Sequence, residues 1–240
     1  MPKCTKFQSV KHYMATDRRL LGIFAKQPIA GLVKTRLAAA RSPEWAAGVA
    51  EAFLLDSLDR FARVEADRTI VYAPPSAAPY FESIAMQRYA LLPQADGDLG
   101  QRLAALFQTA RSDAYARIVV IGSDSPTMPT KFVDLAFERL NDHDVVIGPA
   151  FDGGYYLIGC RAREFPIFTG IPWSTPDVLA ATRQRLVETS AKIAYCPEWY
   201  DVDTFDDWLN LCRHVRAMRA AGIDPGLSHT KAWIDSEPEA

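Results

Sequence analysis

Seven short apolar runs, spaced by segments with helical apolar periodicity, constrain this chain more than any other feature. The runs are LLGIFA (20–25), TIVYA (69–73), YALLP (89–93), RIVVIGS (117–123), DVVIGPA (144–150), YYLIGC (155–160) and KIAYC (192–196). Each has strand length and composition. Helix-like segments lie between them. Pro43 to Ala62 follows Ser42 as cap, with Pro43 suited to a first helical position. Asp98 to Ala110 carries Leu99, Leu103, Leu106, Phe107 and Ala110 on one face and an Asp98/Gln101 capping-box pattern. Three more fit Pro129 to Leu140, Pro176 to Val187 after a Thr175 cap, and Thr204 to Arg219. Such alternation predicts an α/β chain: a mostly parallel sheet covered by helices on both faces, with ligands beyond the carboxyl ends of the strands. YYLIGC breaks the rhythm, because only a short Gly turn separates it from the preceding strand. It predicts an antiparallel excursion over the functional edge of the sheet.

The 240 residues suffice for a buried core, and Met1 to Arg19 (1–19) reads as a loose extension ahead of one domain over 20–220. The tail, 221–240, ends in ten residues that read as frayed and acidic, with Trp233 available to dock on the body. With 49% apolar residues and a net charge of −2, composition gives no sign of a nucleic-acid or membrane partner. Cys4, Cys160, Cys196 and Cys212 form no C-x-x-C pair, and the four histidines stand at no ligand spacing from them, which argues against structural zinc. No run approaches the roughly 20 apolar residues of a membrane span, and the start lacks the apolar core of a signal peptide. A reducing cytoplasm is the expected compartment.

Five stretches carry candidate chemistry. In GIFAKQPIAGLVKTRL a strand ends at Phe24 and Ala25, and a Pro and Gly loop gathers Lys26, Gly31, Lys34 and Arg36. This order suits a polyphosphate: glycine lets the backbone approach and the cations neutralise charge. A solvated basic turn is the plain alternative, and Val33 before the lysine rules out a Walker loop. RIVVIGSDSPTMP places Asp124 at the carboxyl end of a buried strand, where it is a hard oxygen ligand for Mg²⁺ or Mn²⁺, or an Asx-turn or helix cap. GPAFDGGYYLIG offers Asp152 as a base or a binder of an acceptor hydroxyl, or as part of a tight Asp-Gly hairpin turn.

EWYDVDTFDDWL clusters acids at a helix start. Asp203 with Asp206 reads as cap and first-turn acid, or Asp201 and Asp203 complete a metal site with Asp124. LPQADGDLGQRL sets Gln94, Gly97, Asp98 and Gly100 after a strand, where open backbone and a side-chain amide can read a nucleobase. Trp173, in GIPWST, stacks on a sugar or fills the core; a ligand-facing loop is the expectation.

Together, FAKQPIAGLVKTRL, QADGDLGQRL, IGSDSPTMP, GPAFDGGYYLIG, GIPWST and WYDVDT, in this order from about Leu20 to Arg219, resemble the nucleotide-diphospho-sugar transferase-like proteins. That group includes the arsenosugar-biosynthesis glycosyltransferases, formerly a domain of unknown function. The resemblance implies a glycosyltransferase-A-like fold, three-layer α/β/α with a mixed sheet, nucleotide in the amino-terminal half and acceptor chemistry in the carboxyl-terminal half. It implies that Lys26, Gly31, Lys34 and Arg36 bind phosphate, that Gln94 and Gly97 to Gly100 lie near the base, and that Asp124 holds the metal. SDS at 123–125 lacks the second acid of a D-x-D motif, so either a carboxylate from elsewhere supplies it, with Asp203 or Asp201 as candidates, or the metal is held weakly.

The expected activity is metal-dependent transfer of sugar from a nucleotide-sugar to a small acceptor. Lys34 and Arg36 would hold the diphosphate, a metal on Asp124 would stabilise the leaving nucleotide, and Asp152 would position or deprotonate the acceptor. The opening loop also resembles guanylyltransferases acting on small phosphorylated acids, so nucleotidyl transfer from a nucleoside triphosphate with release of pyrophosphate is the rival. Non-catalytic nucleotide binding is another.

Overall fold

The computed structural model describes residues 17–162 and 166–238. Seven strands form one sheet: β1 (Arg19–Lys26), β2 (Asp67–Ala73), β3 (Ala90–Pro93), β4 (Arg117–Gly122), β5 (Val145–Pro149), β6 (Tyr155–Arg161) and β7 (Ile193–Tyr195). They lie in the order β3-β2-β1-β4-β6-β5-β7. Every pairing is parallel except those of β6, which runs antiparallel to β4 and β5. The chain moves outward from β1 to β3 and returns to β4 on the other side. This reversal opens a crevice at the carboxyl ends of β1 and β4, where open α/β sheets bind ligands.

All seven apolar runs are strands, and the mostly parallel α/β expectation holds. The position of YYLIGC differs. β6 lies inside the sheet, paired on both sides, because Tyr156 to Cys160 are buried and only an interior strand hides both faces. Its amino-terminal half, Tyr155 to Ile158, lines the crevice.

The helices are α1 (Thr35–Ala38), α2 (Pro43–Phe61), α3 (Ala78–Ala85), α4 (Leu99–Ser112), α5 (Thr130–Arg139), α6 (Val178–Glu188), α7 (Phe205–Ala220) and α8 (Lys231–Asp235). One face of the sheet, through Leu21, Ile23, Ile70 and Ile121, packs on Leu58 and Phe61 of α2, Phe81 of α3 and Phe137 of α5. The other, through Leu20, Val71, Ile118 and Ile147, packs on Leu103, Leu106 and Phe107 of α4 and Leu186 of α6. These are the three layers.

A further core lies outside them. Ala46, Val49 and Phe53 on the outer side of α2 meet Trp208, Leu211 and Val215 of α7 and Ile234 of α8. Of the ten residues expected to fray, 231–238 are therefore packed, and Trp233 docks on the body as expected. The Glu237 side chain, 2% exposed, accepts from Trp208 Nε1 at 2.9 Å and pairs with Arg41 at 2.6 Å. Trp233 lies so close to α2 that a Cβ on Gly48 would stand 2.6 Å from its ring. At the other end, β1 begins at Arg19, and Arg18 already bonds to Asp113 O at 2.6 Å. The rest of the expected extension, and Cys4 with it, lies outside the described residues.

Two starts differ from expectation. α6 begins at Val178, after Asp177, and Thr175 instead donates to Pro172 O at 2.8 Å within the preceding loop. α7 is capped by Thr204 in a capping box with Asp207, so Asp203 is not the cap, while Asp206 is a first-turn acid as expected. Ser42 and Asp98 cap α2 and α4 as expected, the latter in a capping box with Gln101. Among the described residues, no helix is long and apolar enough to cross a membrane.

Candidate active site

A cleft of about 970 Å³ opens at the carboxyl ends of β1 and β4 and the amino end of β6. Phe24, Ala25, Lys26, Lys34, Arg36, Gln94, Gly97, Asp98, Asp124, Asp152, Asp201 and Asp203 all line it. Residues as far apart in the chain as Phe24 and Asp203 thus share one concavity, as the crevice topology requires. Gly31 and Gly100 do not line it.

The centre of the cleft is an ion cluster. Lys34 Nζ lies 2.5 Å from Asp124 Oδ1 and 2.8 Å from Asp203 Oδ1, and donates to Val202 O at 2.8 Å. Its side chain is 6% exposed, whereas that of Asp124 is 48% exposed. Burial opposes the charge of Lys34, but Asp124 and Asp203 outweigh it and raise its pKa. Lys34 is thus engaged by carboxylates rather than turned toward a phosphate, a different placement from the one the sequence suggests. Arg36, 70% exposed, reaches the second oxygen of Asp203 at 2.7 Å. Burial pushes Asp203 upward, and Lys34 with Arg36 overcomes it to hold the carboxyl below its usual range.

Local folding explains why Asp203 is available. Asp207, not Asp203, completes the cap of α7, with its Oδ2 accepting from Thr204 N at 2.8 Å. Val202 N donates to Asp124 O at 3.0 Å, which ties the loop after β4 to the acidic loop before α7. On this frame Asp201 accepts from Ser125 Oγ. Burial lifts the Asp201 carboxyl to about 7, with Asp124 and Asp203 adding to the rise while Ser125 and Lys34 oppose it. This perturbed carboxyl lines the cleft.

The nucleobase expectation is modified. Gln94 donates through Nε2 to Val71 O at 2.8 Å and to Ala25 O at 3.3 Å, and its Oε1 accepts from Arg102 Nη1 at 3.2 Å. Its amide pins β1, β2 and α4 together rather than presenting donors to the cleft. Arg102 also donates to Gly97 O at 2.8 Å, and it lines the cleft. Gly100 is a packing residue: a Cβ there would stand 2.4 Å from Phe168 O and 2.7 Å from Trp173 Nε1. The wall it admits includes Trp173, edge-on to Tyr155 with centroids 6.3 Å apart, and this wall does face the cleft.

Also lining the cleft, Asp152 is exposed and its Oδ1 accepts from Gly154 N at 2.9 Å, in a turn joined to the acidic loop by Phe151 N donating to Trp199 O at 3.2 Å. Gly153, at φ +87°, closes the turn where a Cβ would meet Pro176 O at 2.1 Å. The tight turn and the site position are thus one arrangement, since the turn is what fixes Asp152 at the rim. Sequence reading missed Arg102 and the role of Ser125. Arg102 sat inside a quoted motif, but only the fold shows its guanidinium turning back over Gln94.

Two carboxylate oxygens, of Asp124 and Asp203, and the Val202 carbonyl converge on one cation, the Lys34 ammonium, and oxygens of this kind suit Mg²⁺ or Mn²⁺ in donor chemistry. Among the described residues, no three His, Cys, Asp or Glu side chains stand at the spacing of a finished metal centre.

Residues 57–175 match the family model described as "uncharacterized protein conserved in bacteria (DUF2064)". The chain is 35% identical over 156 residues to a 3-phospho-D-glycerate guanylyltransferase of Phenylobacterium zucineum (strain HLK1), covering 63% of this chain and 68% of the relative. Its structure superposes on that of a provisionally named nucleotide-diphospho-sugar transferase from Desulfovibrio desulfuricans G20, with TM-score 0.81, 35% identity, and 91% and 97% of the two chains covered. The chain belongs to this DUF2064 family. Its fold is that of the nucleotide-diphospho-sugar transferase-like proteins, as the sequence motifs imply. A cytidylyltransferase of Leptospira borgpetersenii shares the fold at 13% identity, with TM-score 0.57 over 93% of this chain and 99% of that one. The family match takes in Gln94, Asp124 and Asp152 but neither the loop of Lys34 and Arg36 nor the acids at 201 and 203.

Proposed function

We propose that this protein is a metal-assisted transferase that uses a nucleotide-activated donor, moving the sugar of a nucleotide-sugar to a small acceptor. The observation that carries the reading is the single cleft lined together by the cations Lys26, Lys34, Arg36 and Arg102, the acids Asp124, Asp201 and Asp203, and Asp152. All four cations come from β1, the loop and helix after it, and α4. The acceptor-side segments that line the cleft, 152–158 and 173–178, contribute no Lys or Arg among the described residues. Anionic charge on the substrates is therefore best accommodated on the donor side.

In this scheme Lys26 and Arg36 meet the diphosphate, and the Gly97 turn with Arg102 borders the base. Asp124, Asp203 and Asp201 would hold Mg²⁺ or Mn²⁺, which when bound supplies positive charge to the departing diphosphate. Asp152 takes the proton of the acceptor hydroxyl as that oxygen bonds to the anomeric carbon and the bond from that carbon to the diphosphate breaks. Trp173 gives the acceptor a flat apolar wall.

Nucleotidyl transfer is the second reading, favoured by the 35% identical guanylyltransferase. There a phosphate monoester of the acceptor attacks the α-phosphate and pyrophosphate leaves. One experiment separates the two: a thermal-shift screen of nucleoside triphosphates and nucleotide-sugars, each with and without Mn²⁺, followed by product analysis with the stabilising donor. Release of a nucleoside diphosphate from a nucleotide-sugar supports glycosyl transfer. Pyrophosphate from a triphosphate selects the second reading, and stabilisation without turnover across a broad acceptor panel refutes both.

A further inference from the structure

We infer that Lys34 is an exchangeable resident cation, which holds Asp124 and Asp203 in the nucleotide-free protein and yields its place to the divalent ion when a donor binds. The inference rests on the metal-assisted reading above and adds a coupling between metal entry and donor binding.

An ammonium has three N–H donors. All three of Lys34 find an oxygen, on Asp124 at 2.5 Å, on Asp203 at 2.8 Å and on the carbonyl of Val202 at 2.8 Å. Nothing remains for a phosphate while this arrangement lasts. The same oxygens suit a hard divalent cation, and two cations a few ångströms apart away from bulk water repel strongly. Lys34 and a metal on Asp124 and Asp203 are therefore alternatives.

The surroundings permit the exchange. Arg36 holds the other oxygen of Asp203 at 2.7 Å, so Asp203 keeps its orientation when Lys34 leaves. Lys34 itself is left-handed, at φ 48° and ψ 42°, an uncommon conformation for a lysine. Gly31, three residues earlier, has φ +79° with no atom within 4 Å of its Cβ position, and Leu32 is 68% exposed. The segment that carries Lys34 is thus lightly packed on its loop side. A diphosphate offers the ammonium a new anion as the metal neutralises the acids, and charge stays paired throughout.

The test is Mn²⁺ binding by equilibrium dialysis on the full chain, for wild type, Lys34→Met and the double variant Lys34→Met/Asp124→Asn. ADP, GDP, CDP and UDP are then added in turn, with the nucleotide–Mn²⁺ complex alone as reference. Lys34→Met is expected to bind Mn²⁺ at least about tenfold more tightly than wild type without nucleotide, because the competing charge is gone. At least one diphosphate should tighten Mn²⁺ binding by wild type more than by Lys34→Met. Lys34→Gln, which keeps a hydrogen-bonding head without the charge, should behave as Lys34→Met, and circular dichroism checks the fold of each. Equal Mn²⁺ affinity of wild type and both single variants overturns the exchange, and an affinity unchanged by every diphosphate overturns the coupling. Tight Mn²⁺ binding that survives Asp124→Asn places the ion elsewhere and removes the metal reading itself.

Discussion

The Asp201 carboxyl gives the sharpest quantitative prediction. Burial lifts its pKa from 3.8 to about 7 in the folded protein. Between those values the folded form keeps a proton that the unfolded chain has released. Stability is therefore highest below the unfolded pKa and falls as pH rises through the folded one. At about 1.4 kcal/mol for each tenfold change in proton affinity, the full rise from 3.8 to about 7 corresponds to a loss of up to about 4 kcal/mol. Roughly 3 kcal/mol of this should appear between pH 5 and pH 8. Asp201→Asn removes the titration while its side-chain oxygen still accepts from Ser125. Urea unfolding of wild type and variant in EDTA, at pH 5 and pH 8, measures the difference directly. The variant should gain on wild type by about 3 kcal/mol across that interval. Ser125→Ala, which deletes a contact that lowers the Asp201 pKa, should steepen the wild-type slope. A gap between Asp201→Asn and wild type that stays constant with pH would refute the assignment of a high pKa to this carboxyl.

Three further outcomes are expected. Asp152→Asn should lower kcat by about 100-fold, with nucleotide affinity by calorimetry unchanged, because the proposed role of Asp152 is to take the acceptor proton; a loss confined to nucleotide binding would contradict that role. Glu237→Ala leaves Trp208 Nε1 and Arg41 without their shared carboxylate. It should cost about 3 kcal/mol in chemical denaturation, whereas a tail that contributes nothing would leave the midpoint unmoved. Gly100→Ala forces a methyl against Phe168 O and Trp173 and should cost about 1–3 kcal/mol, with a change in tryptophan fluorescence; an unaltered spectrum and midpoint would mean the 168–173 wall is free to shift.

The strands, the caps at Ser42 and Asp98 and the α/β class were legible because they depend on local periodicity and on side chains that bond within three or four residues. The cap of α7 shows the limit of that approach. Asp203 and Thr204 are neighbours and both are good caps, and which one bonds inward is decided by Asp207 and by the pull of Lys34 on Asp203. The tail misled for a related reason: its acids look solvated, yet Glu237 finds Arg41 and Trp208 only after α2 and α7 have packed.

The sequence by itself determined the strand and helix succession, the gathering of cations after the first strand, and an acid at the end of β4, since each is a property of short segments. The tertiary structure alone decided that Lys34 belongs to Asp124 and Asp203, that Gln94 is consumed by backbone carbonyls, and that YYLIGC runs inside the sheet. The physical reason is that an ion's partner and a strand's neighbour are set by distance in space. The 169 positions between Lys34 and Asp203 collapse to 2.8 Å only once the loops after β1 and β4 and the segment before α7 meet at one end of the sheet.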